Sequence, residues 1–441
     1  TAEQLAERLR VLEQRLGIAP QAGSASLAAL DERLKTVEQR LAAQAAPSKA
    51  APPASTLAVS ADKGVSLKSA PEQGIELKFR GLVQADGRTW IGDGAASQND
   101  GFLMRRIQPV LEGTYGKLVG FRLMPEFAGD GASISDAYVD LKFDPRATLR
   151  VGRFKAPVGL ERLQSSGANT FVELGLSSEL APGRDLGVQL QGEFDDGALS
   201  YAVGAFNGAP DGRDAASSNP DDEFEYAARV FWEPFRGAGH AAAGLGVGLA
   251  ASRGDVAGSG GTALPRYRTP GQSQFFGYRA AVLADGERRR LAPQAWWYHG
   301  PVGLLGEYIE SSQAVRVGGT AARIDNRAWQ LAASWVLTGE DASYRGPVKP
   351  GRPFTGDGFG AFELAARVGA LTVDDAAFPL FADPAASARR VRAWTIGLHW
   401  YPTQNLKLAT DYSEADFDGG AAAGLDRGTE KTLFTRAQVA F

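Results

Sequence analysis

The residue types that most often carry catalysis or metal binding are scarce in this chain of 441 residues. Cysteine is absent, so no disulfide, thiolate metal site or cysteine nucleophile can form. The three histidines, His240, His299 and His399, are scattered, with no second ligand at metal-binding spacing and no serine–acid arrangement beside them. The sequence therefore predicts that the protein is not an enzyme and has no catalytic residue, metal or cofactor.

Arginine is the residue type whose pattern does suggest chemistry. Where polar and apolar residues alternate, many arginines fall on the polar face. These arginines are Arg80, Arg88, Arg106, Arg122, Arg150, Arg229, Arg279, Arg367 and Arg436. Arginines that line a water-filled pore favour anions. Carboxylates on the same faces could equally neutralise them, and the residues alone leave both alternatives open. The carboxylates concerned are Asp86, Glu126, Asp136, Asp140, Glu225 and Glu363.

Charge and hydropathy narrow the class of protein. The net charge of −4 argues against a nucleic-acid partner, which would call for a strong basic excess. The longest nearly apolar run, 241–251, is far shorter than the ~18 residues that a membrane helix needs. The chain starts at Thr1 without a signal peptide, which fits either a mature chain or one that is never secreted.

Two segments precede the alternating region. Residues 1–45 place leucines at spacings of three and four in two blocks (Leu5 to Leu16 and Leu30 to Leu41), separated by 17–23. This pattern predicts periplasmic coiled-coil helices that associate between chains. An intramolecular helical hairpin and simple disorder are the alternatives. Residues 46–74, rich in Pro, Ala and Ser, predict a flexible tether.

From about Ile75 to Phe441, two-faced strands of ~8–12 residues alternate with turn-rich stretches. Leu331, Ala333 and Trp335, for example, oppose Gln330 and Ser334. Full charges on the polar faces suit a watery interior, and tryptophans near the ends of the apolar stripes resemble an interfacial girdle. The last strand ends on a phenylalanine, as in outer-membrane barrels. The pattern predicts an all-β, transmembrane antiparallel β-barrel.

Residues 75–441 resemble the phosphate-selective porin O/P family. The resemblance is carried by LMRRIQPVLEGTYGKL (103–118), SDAYVDLKF (135–143), LRVGRFKAPVGLERLQSS (149–166), APGRDLGVQL (181–190), YAVGAFNG (201–208), LTGE (337–340), GAFELAAR (360–367), GLHWYPTQNLKLATDYS (397–413) and the terminal strand. It implies a homotrimer of barrels of about 16 strands, each with its own pore.

The resemblance also implies site residues, because phosphate selectivity in the family comes from basic side chains and paired serines on an inward-folded loop. Arg105 and Arg106 match the family's arginine pair, and Ser165 and Ser166 match its serine pair. Arg162 stands where phosphate-selective members have lysine, and Gly167 where they have another. The inward loop is expected at about 156–183, a stretch too long for a tight turn. With Arg80 and Arg122, these residues form the predicted anion site.

The predicted function is passive diffusion of small anions, such as phosphate or polyphosphate, through an arginine-lined pore in the outer membrane of a Gram-negative bacterium. The alternatives are a weakly selective porin for other anions or organic acids, and a mainly structural barrel that tethers the envelope. Expected partners are outer-membrane lipids and lipopolysaccharide, and cell-wall or other periplasmic contacts of the N-terminal helices. Strict alternation lets only one of Arg105 and Arg106 face the lumen, and Arg106 is chosen. Arg288 and Arg289 are expected in a loop.

Overall fold

The fold is known from a computed structural model. The structure describes residues 2–15, 27–45, 55–60, 64–70, 73–92, 98–129, 131–260 and 262–441. These residues divide into two compact units. The smaller unit contains the N-terminal helices, and the larger one contains the β-sheet; each is described by itself.

The smaller unit contains two helices, α1 (Ala2–Arg15) and α2 (Leu27–Ala45). They pack against each other through Leu9, Leu34 and Val37, and Arg33 forms an ion pair with Glu13 at 2.6 Å. The packing is that of the intramolecular hairpin weighed above, and association between chains stays a prediction. Leu16 and the linker at 17–23 lie outside the described residues. Neither helix, over its described length, has the apolar stretch required to cross a membrane.

Strands dominate the larger unit, where alternating residues favour extended backbone. In chain order they are β1 (Thr56–Ser60), β2 (Gly64–Lys68), β3 (Ile75–Trp90), β4 (Gly101–Tyr115), β5 (Val119–Glu126), β6 (Ser133–Asp144), β7 (Ala147–Lys155), β8 (Arg184–Phe194), β9 (Leu199–Phe206), β10 (Glu225–Trp232), β11 (Leu245–Ser259), β12 (Arg266–Arg268), β13 (Gln274–Gly277), β14 (Leu283–His299), β15 (Val302–Val317), β16 (Thr320–Val336), β17 (Ala361–Thr372), β18 (Ala388–Thr403), β19 (Leu406–Gly419) and β20 (Glu430–Ala440).

The main sheet of the described residues closes on itself. It contains 18 strands, and without β1 and β2 the remaining 16 form a barrel in which each strand pairs antiparallel with its neighbours. The last strand, β20, pairs with β3 from Leu82↔Ala440 to Trp90↔Thr432 and so removes both edges of the sheet. The predicted antiparallel barrel of about 16 strands is confirmed.

The barrel is apolar outside and polar inside. In β16, Trp329 and Leu331 are 38% and 58% exposed, whereas Gln330 between them is 1% exposed. A soluble sheet would bury the apolar face instead, so the exposed face requires an apolar surrounding.

A short hairpin precedes the barrel. β2 pairs with β3 from Val65↔Phe79 to Lys68↔Glu76, next to the point where β20 ends. The segment predicted as a flexible tether, 46–74, therefore contains two strands. Their alternating apolar residues are hard to recognise in a stretch that is rich in Pro, Ala and Ser. Residues 46–54, 61–63 and 71–72 of that tether lie outside the described residues.

One side of the lumen is filled. The connection between β11 and β14 carries β12 and β13 and places Tyr267 and Phe276 inside the barrel. Both side chains are fully buried in a cluster with Ile309, Ile324 and Leu371 from β15, β16 and β17. Because this side is packed, the remaining space lies towards β3 to β8.

Candidate functional site

The segment 156–183, which joins β7 to β8, crosses the barrel interior. The backbone N–H of Leu160 donates to Glu307 of β15 at 2.7 Å, and that of Val172 donates to Asp411 of β19 at 2.6 Å. Both acceptors belong to strands that are five to seven positions away from β7 and β8 around the barrel. The segment therefore narrows the lumen at the place where the sequence predicts an inward loop; below we call it the constriction segment.

A charged cluster on the far wall holds the constriction segment in place. Lys407 donates to the carbonyl oxygens of Asn169 and Thr170, at 3.0 and 2.6 Å. The buried His399 lies between two carboxylates, 2.9 Å from Asp411 and 3.1 Å from Glu363. A doubly protonated imidazolium satisfies both contacts. One of the three histidines thus has a positioning role that its isolation in the sequence does not indicate.

Several predicted pore arginines are ion-paired. Arg80 and Arg122 both contact Glu112, and Arg122 also lies 3.1 Å from Asp136. Arg184 contacts the other oxygen of Asp136 at 2.7 Å. Three guanidinium groups therefore share two carboxylates in a ladder along β3 to β8, so neutralisation, the alternative left open by the sequence, applies to Arg80 and Arg122.

Arg105 is also paired, with a carboxylate of the constriction segment. It donates to both oxygens of Glu173, at 2.7 and 3.1 Å, and Arg88 donates to the same group at 2.6 Å. Burial alone would raise the pKa of the Glu173 carboxyl, but Arg105 and Arg88 lower it to about 2. Glu173 is therefore ionised at neutral pH and fixes both arginines.

A β-bulge brings Arg105 and Arg106 to the same side of the strand. Gln84 pairs with Arg106 and the next residue, Ala85, pairs with Met104, so Arg105 is the extra residue of β4. Arg106 donates to the Gln84 side chain at 2.7 Å, inside the barrel. The expectation from strict alternation that only one of the two arginines faces the lumen is wrong, because alternation fails at a bulge.

Arg106, Arg162 and Lys155 have no carboxylate within 4 Å in the part of the chain that the structure describes. Arg106 contacts only the Gln84 amide, Arg162 donates to the Ser178 carbonyl at 2.6 Å, and Lys155 donates to the Gln164 carbonyl at 2.5 Å. The buried Nε of Arg162 has no partner. These three residues, Arg106, Lys155 and Arg162, are called the unpaired cations below, because none of them forms an ion pair within the described residues.

The unpaired cations are neighbours. Lys155 lies within electrostatic reach of Arg184, Arg162 and Arg106, and also of the Asp136 carboxylate. Lys155 and Arg184 were missed by sequence reasoning, although they are the residues that directly flank the constriction segment. That flanking position is the signal that could have identified them, because both ends of an inward loop lie at the lumen wall.

A cavity of about 1000 Å³ lies against one face of the constriction segment. Its lining includes Arg80, Arg122, Lys155, Ser165 and Ser166. Arg105, Arg106 and Arg162 are not part of that lining. The structure therefore divides the predicted site residues between this cavity and the remainder of the constriction.

Two other arginines do not lie where the sequence predicts them. Arg288 and Arg289 belong to β14 rather than to a loop. Arg288 is 1% exposed and ion-paired with Glu225 at 2.7 Å, whereas Arg289 is exposed. The sequence DGERRR suggests a turn, but here it continues a long strand through a register irregularity. Arg279, predicted to face inward, lies outside the strands and pairs with Asp383 at 3.6 Å.

A closed barrel with an apolar exterior, a polar interior and a segment across its lumen defines a membrane channel of the porin class. The model of the phosphate-selective porin O and P family matches residues 76–441. The chain therefore belongs to that family, and it is an outer-membrane porin, as its sequence predicts.

Other proteins resemble this chain in sequence or in fold. An uncharacterized protein of Caulobacter vibrioides is 24% identical over 439 residues, which cover 89% of this chain and 84% of that protein. Among solved structures, the outer membrane channel DcaP of Acinetobacter baumannii has a TM-score of 0.54 at 12% identity, covering 83% of this chain and 98% of that one. The anion-selective porin of Comamonas acidovorans has a TM-score of 0.53 at 14% identity, covering 83% and 100%. At these identities the solved structures establish the fold alone.

Proposed function

We propose that this porin conducts small anions by passive diffusion, with preference for phosphate-like oxyanions, through a pore whose selectivity depends on Arg106, Arg162 and Lys155. The observation that carries the proposal is that none of these three cations has a carboxylate partner among the residues that the structure describes. An anion that enters can replace part of its hydration shell with their N–H groups.

The chemistry of the cluster suits an oxyanion. A guanidinium can donate to two oxygens of one anion, while an ammonium or a hydroxyl donates to a third. Ser165 and Ser166 lie beside Lys155 along the cavity and offer such hydroxyls. Binding must be weak enough for release, so we expect phosphate to block chloride current at about 1 mM, equivalent to about −4 kcal/mol.

Assembly and orientation belong to the same proposal. We infer a homotrimer, since a trimer form of OmpT from Vibrio cholerae shares the fold, with a TM-score of 0.51 at 12% identity over 83% of this chain. We place the C-terminal end of the barrel and residues 1–45 on the periplasmic side, because most connections at that end are short, as in outer-membrane barrels.

The test compares two double variants of equal charge change in planar bilayers. R106Q/R162Q is expected to move the reversal potential in a chloride gradient towards the cation value and to weaken phosphate block about tenfold or more. In the control, R289Q/R327Q, both arginines face outward, and the reversal potential should stay at the wild-type value. A shift in the control and none in the first variant would contradict the proposed site. Wild-type anion preference without phosphate block would favour the weakly selective alternative.

A further inference from the structure

The outer surface of the barrel repeats one pattern on three strands. Arg289 and Trp297 of β14 are eight residues apart, as are Arg327 and Trp335 of β16 and Arg392 and Trp400 of β18. An even spacing in a strand puts both side chains on the same face, which here is the outward one. The residues between them on that face are apolar. They are Leu291, Pro293 and Ala295 in β14; Trp329, Leu331 and Ala333 in β16; and Trp394, Ile396 and Leu398 in β18.

The three arginines lie at one level around the barrel. Arg289 pairs with Ser312, which pairs with Asp325, so Asp325 is the residue of β16 directly across from Arg289. Arg327 lies two residues further along β16. Arg327 pairs with Thr372, which pairs with Arg390, so Arg392 is displaced by the same two residues in the same direction. A constant displacement is what strand tilt produces along a horizontal line. The tryptophans follow the same displacement, so the two rows are parallel.

The rows bound an apolar band of membrane thickness. Eight residues span about 26 Å along a strand, or about 20 Å of height at a tilt of 35–45°, and the long side chains extend beyond their backbones. Tryptophan belongs at a membrane interface. The strands β14, β16 and β18 begin at the end of the barrel that is opposite the periplasmic one. The arginine row, Arg289, Arg327 and Arg392, lies near these strand starts and therefore faces the outer leaflet, whereas the tryptophan row faces the periplasmic one.

The arginine row has few close carboxylate partners among the described residues. Within the described residues, Arg289 and Arg392 have no ion pair, and Arg327 reaches only Glu310, at 3.7 Å with 62% of its side chain exposed. Arg253 of β11 lies directly opposite Arg289 but is ion-paired with Glu287 at 2.5 Å, and Asp416 of β19 lies directly opposite Arg392. The exposed guanidinium groups of Arg289 and Arg392, at a membrane boundary, therefore remain available to an anion of the lipid.

We propose that the arginine row binds the phosphate groups of a phosphorylated glycolipid, the lipid A part of lipopolysaccharide, in the outer leaflet. Guanidinium groups bind phosphate through two parallel hydrogen bonds. The arginines are two strands apart, or about 10 Å, so one headgroup with two phosphates can contact two of them. The row is found on β14 to β18, so this side of the barrel is the one that faces lipid. The inference is independent of the pore's selectivity.

Lipid retention by purified protein in detergent tests the proposal. Wild-type protein, the row variant and a control of equal charge change are incubated with lipopolysaccharide, dephosphorylated lipopolysaccharide or phosphatidylglycerol, and bound lipid is measured by native mass spectrometry. The row variant is R289Q/R327Q/R392Q, and the control, whose exposed arginines lie outside the row, is R146Q/R316Q/R389Q.

We expect the row variant to bind lipopolysaccharide at least about tenfold more weakly than wild type, whereas the control is unchanged. Dephosphorylated lipopolysaccharide should bind all three proteins at the weak level of the row variant. Equal retention by the row variant and wild type overturns the proposal. So does displacement of lipopolysaccharide by equimolar phosphatidylglycerol, because the row would then select charge alone. Heat modifiability checks that each variant is folded. An unchanged reversal potential shows that the pore is intact, so a loss of lipid binding cannot be attributed to the proposed pore site.

Discussion

At the scale of single residues, the charge of the pore depends on which cations lack a carboxylate partner. Arg80, Arg105 and Arg122 are held by carboxylates, whereas Arg106 donates to an amide oxygen and Arg162 donates to a carbonyl oxygen. An ion-paired guanidinium contributes little net field to a passing anion, because its partner cancels it. The number of arginines in the sequence therefore overstates the positive charge that an anion meets.

Gly167 offers a direct way to raise that charge. It lies beside Ser166 along the cavity, and a Cβ there would meet only Leu82 at 3.6 Å and Gln438 at 3.9 Å, which are ordinary contacts. We predict that G167K folds normally and lowers the phosphate concentration for half block about tenfold, since a charged hydrogen bond adds about 1.5–3 kcal/mol. Bilayer titration with phosphate measures the effect. G167Q, of similar length but neutral, should leave block unchanged; equal block by both variants would show that charge at this position is not sensed.

Sequence reasoning could identify these residues only in part. Alternation places Arg106 and Arg122 inside correctly, because a barrel strand repeats every two residues. It fails at Arg105, where the bulge shifts the register by one. It also cannot choose between a free and a paired arginine. Arg105 is paired by Glu173, which is 68 residues away in sequence and reaches it only because the constriction segment folds back.

At the scale of elements, the constriction segment contacts the barrel strands and also the connection between β11 and β14, which fills the other side of the lumen. The Glu179 carboxylate accepts a hydrogen bond from the backbone N–H of Arg268 at 2.8 Å. Arg268 belongs to β12, in the connection that fills the other side of the lumen. Two separately inserted connections thus meet at one ionisable group.

That contact predicts a pH dependence near neutrality. Burial raises the pKa of Glu179 to about 7, although Arg162 acts to lower it. Because the pKa is raised, the folded protein binds this proton more tightly than the unfolded chain. The stabilising contribution is therefore present at low pH and is lost as pH rises from 4.5, the ordinary value, to about 7. Protonation also removes a negative charge beside Arg162, so anion preference should rise as pH falls from about 8.5 to about 5.5.

Reversal potentials at the two pH values measure this effect. E179Q should show the high anion preference at both, because its neutral amide mimics the protonated carboxyl. In the control E173Q the pH step should persist, since the pKa of Glu173 is about 2 and this group does not titrate in the range. A pH step of wild-type size in E179Q would assign the titration to another group.

The fold was predictable at this scale because every barrel strand repeats the same two-residue pattern. The inward direction of segment 156–183 was predicted from its length and the family resemblance. The filling of the lumen by 262–282 was not, although Tyr267, Phe275 and Phe276 in that connection are apolar residues that need a buried environment. The sequence does not say whether such residues face lipid or the lumen.

At the scale of the whole molecule, the two compact units predict separable roles. The barrel closes through β20 and β3, and within the described residues this closure does not involve the chain before β2. The helices α1 and α2 pack on each other through their own leucines. A unit that satisfies its own apolar face contributes little to the stability of another.

We therefore predict that a chain lacking residues 1–45 inserts into detergent or lipid as a trimer with nearly unchanged conductance. Closed barrels resist dodecyl sulfate until they are heated, because their strands have no free edge. Both the full chain and the truncated one should accordingly migrate faster before boiling than after it. The trimer of the truncated chain is expected to dissociate at a slightly lower temperature if the helices associate between chains, and at the same temperature if they form only the hairpin. Loss of conductance on truncation would contradict the independence of the two units, and a water-soluble monomer obtained without detergent would contradict the membrane barrel itself.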